Sequence, residues 1–319
     1  MCGIFGWDIT GKVTKNQRKL LAHGLAKSND LRGGHSWGYC DVNNMRVERG
    51  LGNMSPEWAA FYRADRLLAH TRFATTGEIT VGNAHPFRIG GIVGAHNGMI
   101  FNHKMVNLKY NRNYSVDSQH IFRHLAEGID LRDLEGYGAI EWLKKKDPGS
   151  IYLCRLSFAG DLAMARIKVD GRCAGSVWSS DGKHLNAVLG RTGLEFVELK
   201  VDTNKVYFVR DGESFISTGD ELKLAGGWSY RNSAANGGFY SSRSVAAFNP
   251  TDPWDDENES WERYRSLYLP KDEGGESQLS AEDRRDVLEI MGNEAACGSI
   301  KCCECYFEGS CLKEFGFEN

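Results

Sequence analysis

Short apolar segments bounded by glycine or turn residues alternate along this chain with segments of helical periodicity, and this alternation limits the possible folds. Residues 66–74 and 91–100 are apolar runs of the kind that form strands. Residues 115–128 carry apolar side chains at helical spacing, and a second helix is predicted over about residues 137–146. Strands flanked by helices predict an α+β fold with mainly antiparallel sheets.

Turn and capping signals divide this pattern further. Thr14 and Gln17 fit a capping box, which predicts that a helix begins there. Residues 147–149, with the sequence Asp-Pro-Gly, are a strong turn signal after the predicted second helix. Two hairpins are also expected, formed by segments 151–158 with 162–169 and by segments 195–200 with 206–210.

Composition excludes several classes of protein. The 319 residues are 41% hydrophobic and carry a formal net charge of −3, so no electrostatic footprint for nucleic acid is present. No segment approaches the roughly 20 apolar residues that span a bilayer. The first residues have neither a basic start nor a long apolar run, so we expect no signal peptide and a cytoplasmic location.

The chain divides into a body, residues 1–215, and an irregular C-terminal extension, residues 216–319. Nine cysteines are present, and five of them lie near the end of the extension: Cys297, Cys302, Cys303, Cys305 and Cys311. They could ligate one structural zinc ion, although their spacing differs from the usual paired arrangement. Reduced, unliganded thiols are the favoured alternative, because cytosolic disulfides are rare.

Cys2 occupies a position with special chemistry. Removal of Met1 leaves one residue that carries both a thiol and a free α-amino group. The amine, with an ordinary pKa of about 8, can accept the thiol proton near neutral pH, so nucleophile and base come from one residue. The alternative is that Cys2 is the second residue of an ordinary strand.

Five blocks resemble, in order, the motifs of class II glutamine amidotransferases, which are N-terminal-nucleophile hydrolases. The resemblance covers about residues 1–215 and is closest to the glutaminase domains of glucosamine-phosphate synthase and amidophosphoribosyltransferase. The blocks are the opening residues 1–6, then residues 32–38, 69–77 with 83–87, 96–102 and 115–118.

This resemblance implies a fold and a reaction. The fold is a four-layer α/β/β/α sandwich, and the reaction is glutamine hydrolysis through a γ-glutamyl thioester, without a required cofactor. Residues 216–319 contain no glycine-rich phosphate-binding loop, so a second catalytic domain is not expected there. The ammonia is therefore expected to pass to an acceptor synthase on a partner protein, or to be released.

Asn97 and Gly98 are expected to stabilise the oxyanion. Attack on an amide creates negative charge on its oxygen, which requires donors at that position. Asn97 can donate through its side-chain amide and Gly98 through its backbone N–H. The alternative is a hairpin turn, the usual meaning of Asn-Gly, and both interpretations can hold together.

Free glutamine carries a carboxylate and an ammonium group, so a selective site needs one cation and one anion. Arg72 suits the carboxylate because its planar guanidinium can bind in bidentate fashion. Asp117 suits the ammonium. The resemblance implies these roles and places Thr75 and Thr76 in the pocket lining, whereas surface salt bridges are the alternative for Arg72 and Asp117.

The sequence departs from the family pattern at three positions. Thr76 and Phe73 stand where the sugar-phosphate branch usually has histidine and tryptophan, respectively. His35 stands where an aspartate is usual, and we interpret it as a hydrogen-bonded structural residue.

Two other functions remain open from sequence alone. The protein could hydrolyse a different amide, although Arg72 and Asp117 match both charged ends of a free amino acid. It could also be a catalytically idle binding protein that keeps the fold. Retention of the complete set of candidate residues argues against the idle protein.

Overall fold

The computed structural model of the protein describes residues 2–10, 12–158 and 160–225. Seven strands form the first of two antiparallel sheets. Their spatial order is β11 (Glu195–Leu199), β9 (Ala163–Val169), β10 (Arg172–Ser179), β1 (Gly3–Ile9), β4 (Arg66–Arg72), β2 (Ser36–Asp41) and β3 (Arg46–Leu51).

Six strands form the second sheet, and neighbouring strands are again antiparallel. Their spatial order is β13 (Ile216–Glu221), β12 (Lys205–Val209), β8 (Asp147–Arg155), β7 (Gly136–Lys144), β6 (Ile92–Ile100) and β5 (Phe87–Ile89). The two sheets pack face to face, with β1 and β4 of the first sheet against β6 and β7 of the second.

Helices cover the outer face of each sheet. The helices of the described residues are α1 (Lys15–Asp30), α2 (Trp58–Arg63), α3 (His103–Lys109), α4 (Gln119–Glu127) and α5 (Gly182–Thr192). Helices α1 and α5 pack on the first sheet, and α4 packs on β5 and β6 of the second. The result is the expected four-layer α/β/β/α sandwich of an α+β protein.

Strand β1 shows why the layers form. Its alternate residues Phe5, Trp7 and Ile9 enter the core beneath α1, whereas Ile4 enters the core between the sheets. Successive side chains of a strand point to opposite faces. A strand that is buried on both faces, as β1 is, is covered by helices on one side and by a second sheet on the other.

A buried carboxyl group lies between the two sheets. Glu141 on β7 is fully buried, and Trp178 Nε1 donates a hydrogen bond to its Oε2 at 2.5 Å. Burial raises the pKa of Glu141 well above its usual value, because the charged form is penalised away from water. We infer that this carboxyl is protonated at neutral pH.

The sequence predicted some elements correctly. Helix α1 begins after the expected capping box, in which Thr14 accepts from the Gln17 N–H. Strands β4 and β6 and helix α4 also lie where they were predicted, although α4 begins later, at Gln119.

The helix predicted over residues 137–146 is wrong. This segment forms β7, a central strand between β6 and β8. Both faces of the strand are buried, so its apolar residues run almost without a break and carry no period-two signal. The Asp-Pro-Gly signal at residues 147–149 is also not a turn, because it begins β8.

The two predicted hairpins are wrong for a common reason. In each case the two segments are strands, but they lie in different sheets. Strand β8 belongs to the second sheet and β9 to the first, and β11 and β12 are divided likewise. Both connections cross between the sheets instead of turning back within one.

The cysteine-rich end of the C-terminal extension lies outside the described residues, which end at residue 225. Within the described part of the chain, no helix is both long and apolar enough to cross a lipid bilayer.

Glu141→Gln is expected to stabilise the protein at about pH 8 more than at about pH 5. In the wild type the unfolded carboxyl ionises above about pH 4.3 while the folded one stays protonated, so the free energy of unfolding falls as pH rises. Glutamine does not ionise and can still accept from Trp178. Urea unfolding at both pH values measures the effect, and exposed Glu135→Gln is the matched control. An equal effect of Glu141→Gln at both pH values would show that Glu141 is not held neutral.

Candidate active site

The register of β1 and β4 brings the start of the chain to the end of β4. Gly3 pairs with Thr71, so Cys2 lies beside the residues that follow Thr71. The Cys2 sulfur accepts a hydrogen bond from the Phe73 N–H at 3.3 Å, and the thiol contacts the Phe73 carbonyl as a donor at 3.4 Å. The sulfur is therefore held between the two backbone groups of one residue.

Strand alternation gives Cys2, Arg72 and Asn97 a common direction. Each of them lies an even number of positions from a residue of the core between the sheets. These core residues are Ile4 for Cys2, Leu68 for Arg72 and Ala95 for Asn97. Because alternate residues share a face, the three candidate side chains point into the same space. They come together at one end of the inter-sheet layer, although they belong to two sheets.

The Cys2 thiol lies in a mixed electrostatic environment. Burial raises its pKa most, and the charge of Asp117 adds to this increase. The Phe73 N–H and the charge of Arg72 act in the opposite direction. The raised pKa means that the thiol is protonated at neutral pH and needs a base before it can attack a carbonyl carbon.

Arg32 fixes the backbone of Cys2. Its Nε donates to the Cys2 carbonyl at 3.1 Å, while its other nitrogens pair with Asp161 and Asp181, each at 3.3 Å. Sequence reasoning assigned no role to Arg32, although the residue begins one of the matching blocks. Its three contacts tie Cys2 to the connection before β9 and to the beginning of α5.

Arg72 is buried at the end of β4, with 2% of its surface exposed. Its Nη2 donates to the Thr76 carbonyl at 2.5 Å and its Nη1 to the Glu78 carbonyl at 3.2 Å. A guanidinium has five N–H groups, so these contacts leave donors for a carboxylate. Thr76 therefore contacts Arg72 through its backbone carbonyl. Thr75 belongs to the same loop and is exposed.

Asn97 and Gly98 lie inside strand β6, so the hairpin-turn interpretation is wrong. They pair with Ala139 and Gly138 of β7, in the middle of an antiparallel ladder. Asn97 is 7% exposed, which places its amide in the protein interior at the end of the inter-sheet space.

The ladder determines where the backbone groups of β6 point. The Phe101 N–H donates to the Glu135 carbonyl across to β7 at 2.7 Å. In an antiparallel pair, alternate residues make these contacts, so even-numbered residues of β6 direct their N–H and C=O groups away from β7. Strand β5 pairs with this side of β6, but its first residue, Phe87, lies opposite Gly94, so the pairing stops there. Beyond Gly94 the side of β6 is available to other groups.

Two of the even-numbered residues beyond Gly94 use these groups within the site. The His96 carbonyl contacts His70 Nε2 at 3.2 Å, and the Ile100 N–H donates to Asp117 Oδ2 at 2.7 Å. By the same alternation, the Gly98 N–H lies between these two contacts and points to the same side.

Asp117 is buried, with 4% of its surface exposed, at the start of the turn that leads into α4. One carboxylate oxygen, Oδ2, is anchored by the Ile100 N–H. Burial lowers the pKa of Arg72, whereas the charge of the Cys2 thiolate, once it forms, and that of Asp117 act in the opposite direction. The four predicted groups at Cys2, Arg72, Asn97 and Asp117 therefore share one region.

His96 is a site neighbour that sequence reasoning did not single out. Its Nε2 contacts the Tyr137 carbonyl at 3.2 Å and its Nδ1 contacts Ser118 Oγ at 2.9 Å. A carbonyl only accepts hydrogen bonds, so Nε2 carries the proton and Nδ1 accepts from Ser118. A Cβ on Gly98 would overlap this ring and the Tyr137 carbonyl. His96 thus links the Asn97-Gly98 strand to the beginning of α4.

Tyr137 was missed because its segment was predicted to be helical. Burial raises the pKa of its hydroxyl most, and the charges of Cys2 and Asp117 add to the increase. The ring therefore lies near both groups, and its centroid is 5.8 Å from that of Phe101.

His35 has the structural role expected for it. Its Nδ1 accepts a hydrogen bond from the Ala74 N–H at 2.9 Å, and its ring stacks on Phe73 with centroids 4.6 Å apart. Burial lowers the pKa of His35, so the ring is neutral at neutral pH. It therefore supports the loop after β4, which also carries Thr75 and Thr76.

The candidate site contains no arrangement suited to a metal ion. Within residues 2–225, apart from the undescribed positions 11 and 159, no group of three or more potential ligands occurs. The five cysteines of the extension lie outside the described residues, and structural zinc at that position stays a prediction.

Comparison with known proteins places this geometry in context. No family model matches the chain. The glutamine–fructose-6-phosphate aminotransferase of Vibrio vulnificus is 32% identical over 180 residues, covering 49% of this chain and 28% of that protein. The enzyme of the same name from Xylella fastidiosa is 28% identical over 229 residues, covering 67% of this chain and 35% of that protein. The chain thus spans about a third or less of the length of these relatives.

Two solved structures also match. The allosteric regulatory enzyme of purine biosynthesis gives a TM-score of 0.46 at 15% identity, over 68% of this chain and 48% of that chain. A glutamine aminotransferase class-II domain protein from Silicibacter pomeroyi gives a TM-score of 0.38 at 12% identity, over 70% of this chain and 100% of that chain.

The stacked antiparallel sheets, covered by helices on both outer faces, form the four-layer sandwich that the resemblance to N-terminal-nucleophile hydrolases implied. The relatives that match in sequence carry the name glutamine–fructose-6-phosphate aminotransferase. The chain is therefore similar to class II glutamine amidotransferases over the segment that these relatives share with it.

Proposed function

We propose that this protein hydrolyses L-glutamine and delivers the ammonia to an acceptor. The observation that carries the proposal is the convergence of Cys2, Arg72, Asn97 and Asp117 at one end of the inter-sheet space. These residues supply a nucleophile, a cation, an amide donor and an anion, which are the groups that glutamine hydrolysis requires.

Substrate binding follows from the charges of the pocket. Arg72 has N–H groups beyond those that hold Thr76 and Glu78, and these can bind the α-carboxylate of glutamine. Asp117 has its Oδ1 oxygen for the α-ammonium group while Oδ2 remains on the Ile100 N–H. The side-chain amide of glutamine then extends toward Cys2.

Catalysis begins with removal of the Cys2 proton. Burial keeps the thiol protonated, so a neighbouring base is needed; the α-amine of Cys2, released when Met1 is removed, is the proposed base. The sulfur attacks the amide carbon, and the oxyanion accepts hydrogen bonds from the Asn97 side chain and the Gly98 N–H. The amine returns the proton to the leaving nitrogen, ammonia departs and a γ-glutamyl thioester remains. Water attacks the thioester, and glutamate and the thiol are regenerated.

The acceptor is proposed to belong to a partner synthase protein. The names of the relatives pair glutamine with fructose 6-phosphate, but the matched segment is only a minor part of those proteins. A cytoplasmic location and the absence of nucleic-acid and membrane partners stay predictions.

Cys2→Ala is expected to lower glutamine hydrolysis by about 10³-fold or more, because the reaction loses its nucleophile. The matched control is Cys173→Ala, which removes an exposed thiol and should retain activity. Intact mass should show that active protein begins at Cys2. Full activity in Cys2→Ala, or activity in protein that retains Met1, would contradict the mechanism.

Asn97→Ala and Asp117→Asn are expected to affect different kinetic constants. Loss of the Asn97 amide should lower kcat by about 10²–10³-fold with little change in KM, because the oxyanion forms after binding. Asp117→Asn should raise KM for glutamine most, because it removes the partner of the ammonium group. Steady-state kinetics with glutamine and with uncharged acyl amides provide the measurement. A preference for the uncharged amides in the wild type would favour a different amidase function.

A further inference from the structure

A cleft lies on the opposite side of the sandwich from the outer strand β11. Strand β3 is the outer strand of the first sheet and β5 is the outer strand of the second. Between them is a cleft of about 600 Å³. Its walls include Val47, Arg49, Val81, Phe87, Arg88 and Gln119. None of the residues proposed for glutamine hydrolysis lines this cleft.

The two arginines have no carboxylate partner among the described residues. Arg49 donates through Nε and Nη2 to the Pro86 carbonyl, and Arg88 donates through Nη2 to the Met45 carbonyl. Carbonyl contacts orient a guanidinium without neutralising it. Each side chain also has further N–H groups, since a guanidinium carries five.

The two positive charges affect one another. Burial lowers the pKa of Arg49, and the charge of Arg88 lowers it further. Both side chains line the cleft, Arg49 half-buried and Arg88 exposed. A bound anion would replace their mutual repulsion with attraction.

The remaining walls suit an apolar group. Val47 and Val81 present hydrocarbon surface beside the arginines, and Gln119 adds one neutral hydrogen-bonding side chain. Phe87 is buried, with 3% of its surface exposed, and belongs to the core beneath α4. The walls are thus a mixture of charged, polar and apolar side chains, and the volume lies within the range of small-molecule sites.

We infer that this cleft binds a small phosphomonoester that carries an apolar group. Two guanidiniums match the charge of a phosphate, which is about −1.5 to −2 near pH 7, and their N–H groups suit its oxygens. The apolar substituent lies against Val47 and Val81. A carboxylate has one charge and would be bound less tightly.

Calorimetric titration of the full chain with phenyl phosphate tests the inference. We expect saturable binding at one site with a Kd below about 1 mM, tighter than that of inorganic phosphate or benzoate. Arg88→Gln should weaken binding by roughly tenfold or more, since an ionic hydrogen bond is lost. Arg88 is exposed, so this variant is the decisive one if Arg49→Gln fails to fold.

Arg46→Gln is the matched control. Arg46 lies on the same strand as Arg49, is exposed and points to the other face, because the two positions differ by an odd number. It should leave the Kd unchanged. Absence of saturable binding up to about 10 mM, or the same Kd in the Arg88→Gln and Arg46→Gln variants, overturns the inference. The measurement does not require glutamine hydrolysis, so it is independent of the proposed activity.

Discussion

The antiparallel pairing of β1 with β4 is the interaction on which the candidate site depends. Because Gly3 lies opposite Thr71, the chain begins beside Arg72 and Phe73. One strand end therefore leads into Cys2, the proposed nucleophile, and its neighbour ends at Arg72, the proposed partner of the substrate carboxylate. The backbone of Phe73 holds the sulfur, and Arg32 holds the carbonyl of Cys2. Cys2 is thus positioned by the β1–β4 pairing, by the Phe73 backbone and by Arg32.

The second sheet supplies what the first lacks. Strand β6 continues past the end of its neighbour β5, and this difference in length leaves backbone groups of β6 available at one end of the sandwich. One of these groups, the Ile100 N–H, donates a hydrogen bond to Asp117. Gly98 lies between this contact and the contact of the His96 carbonyl with His70. Packing of the two sheets through the core between them brings these donors opposite Cys2. The site is therefore a consequence of sheet stacking as much as of any single motif.

Sequence reasoning predicted the layered fold. It also selected Cys2, Arg72, Asn97 and Asp117, which the structure brings into one region, because these residues lie in short motifs with distinctive residues. It failed where long-range pairing decides the structure. Residues 137–146 form a central strand that is buried on both faces, and no local periodicity distinguishes such a segment from a buried helix. Tyr137 was missed for that reason. Asn97-Gly98 has the composition of a turn, yet pairing with β7 keeps it extended. Both hairpin predictions failed because adjacent strands enter different sheets.

Capture of the covalent intermediate tests the central claim most directly. Protein mixed with glutamine and quenched in acid during turnover should show, by intact mass and peptide mapping, a γ-glutamyl group on the sulfur of an N-terminal Cys2. Hydroxylamine should remove the group, as it does from a thioester, and Cys2→Ala protein should carry none. Glutamate formation without any adduct on Cys2, or an adduct on a different cysteine, would contradict the account.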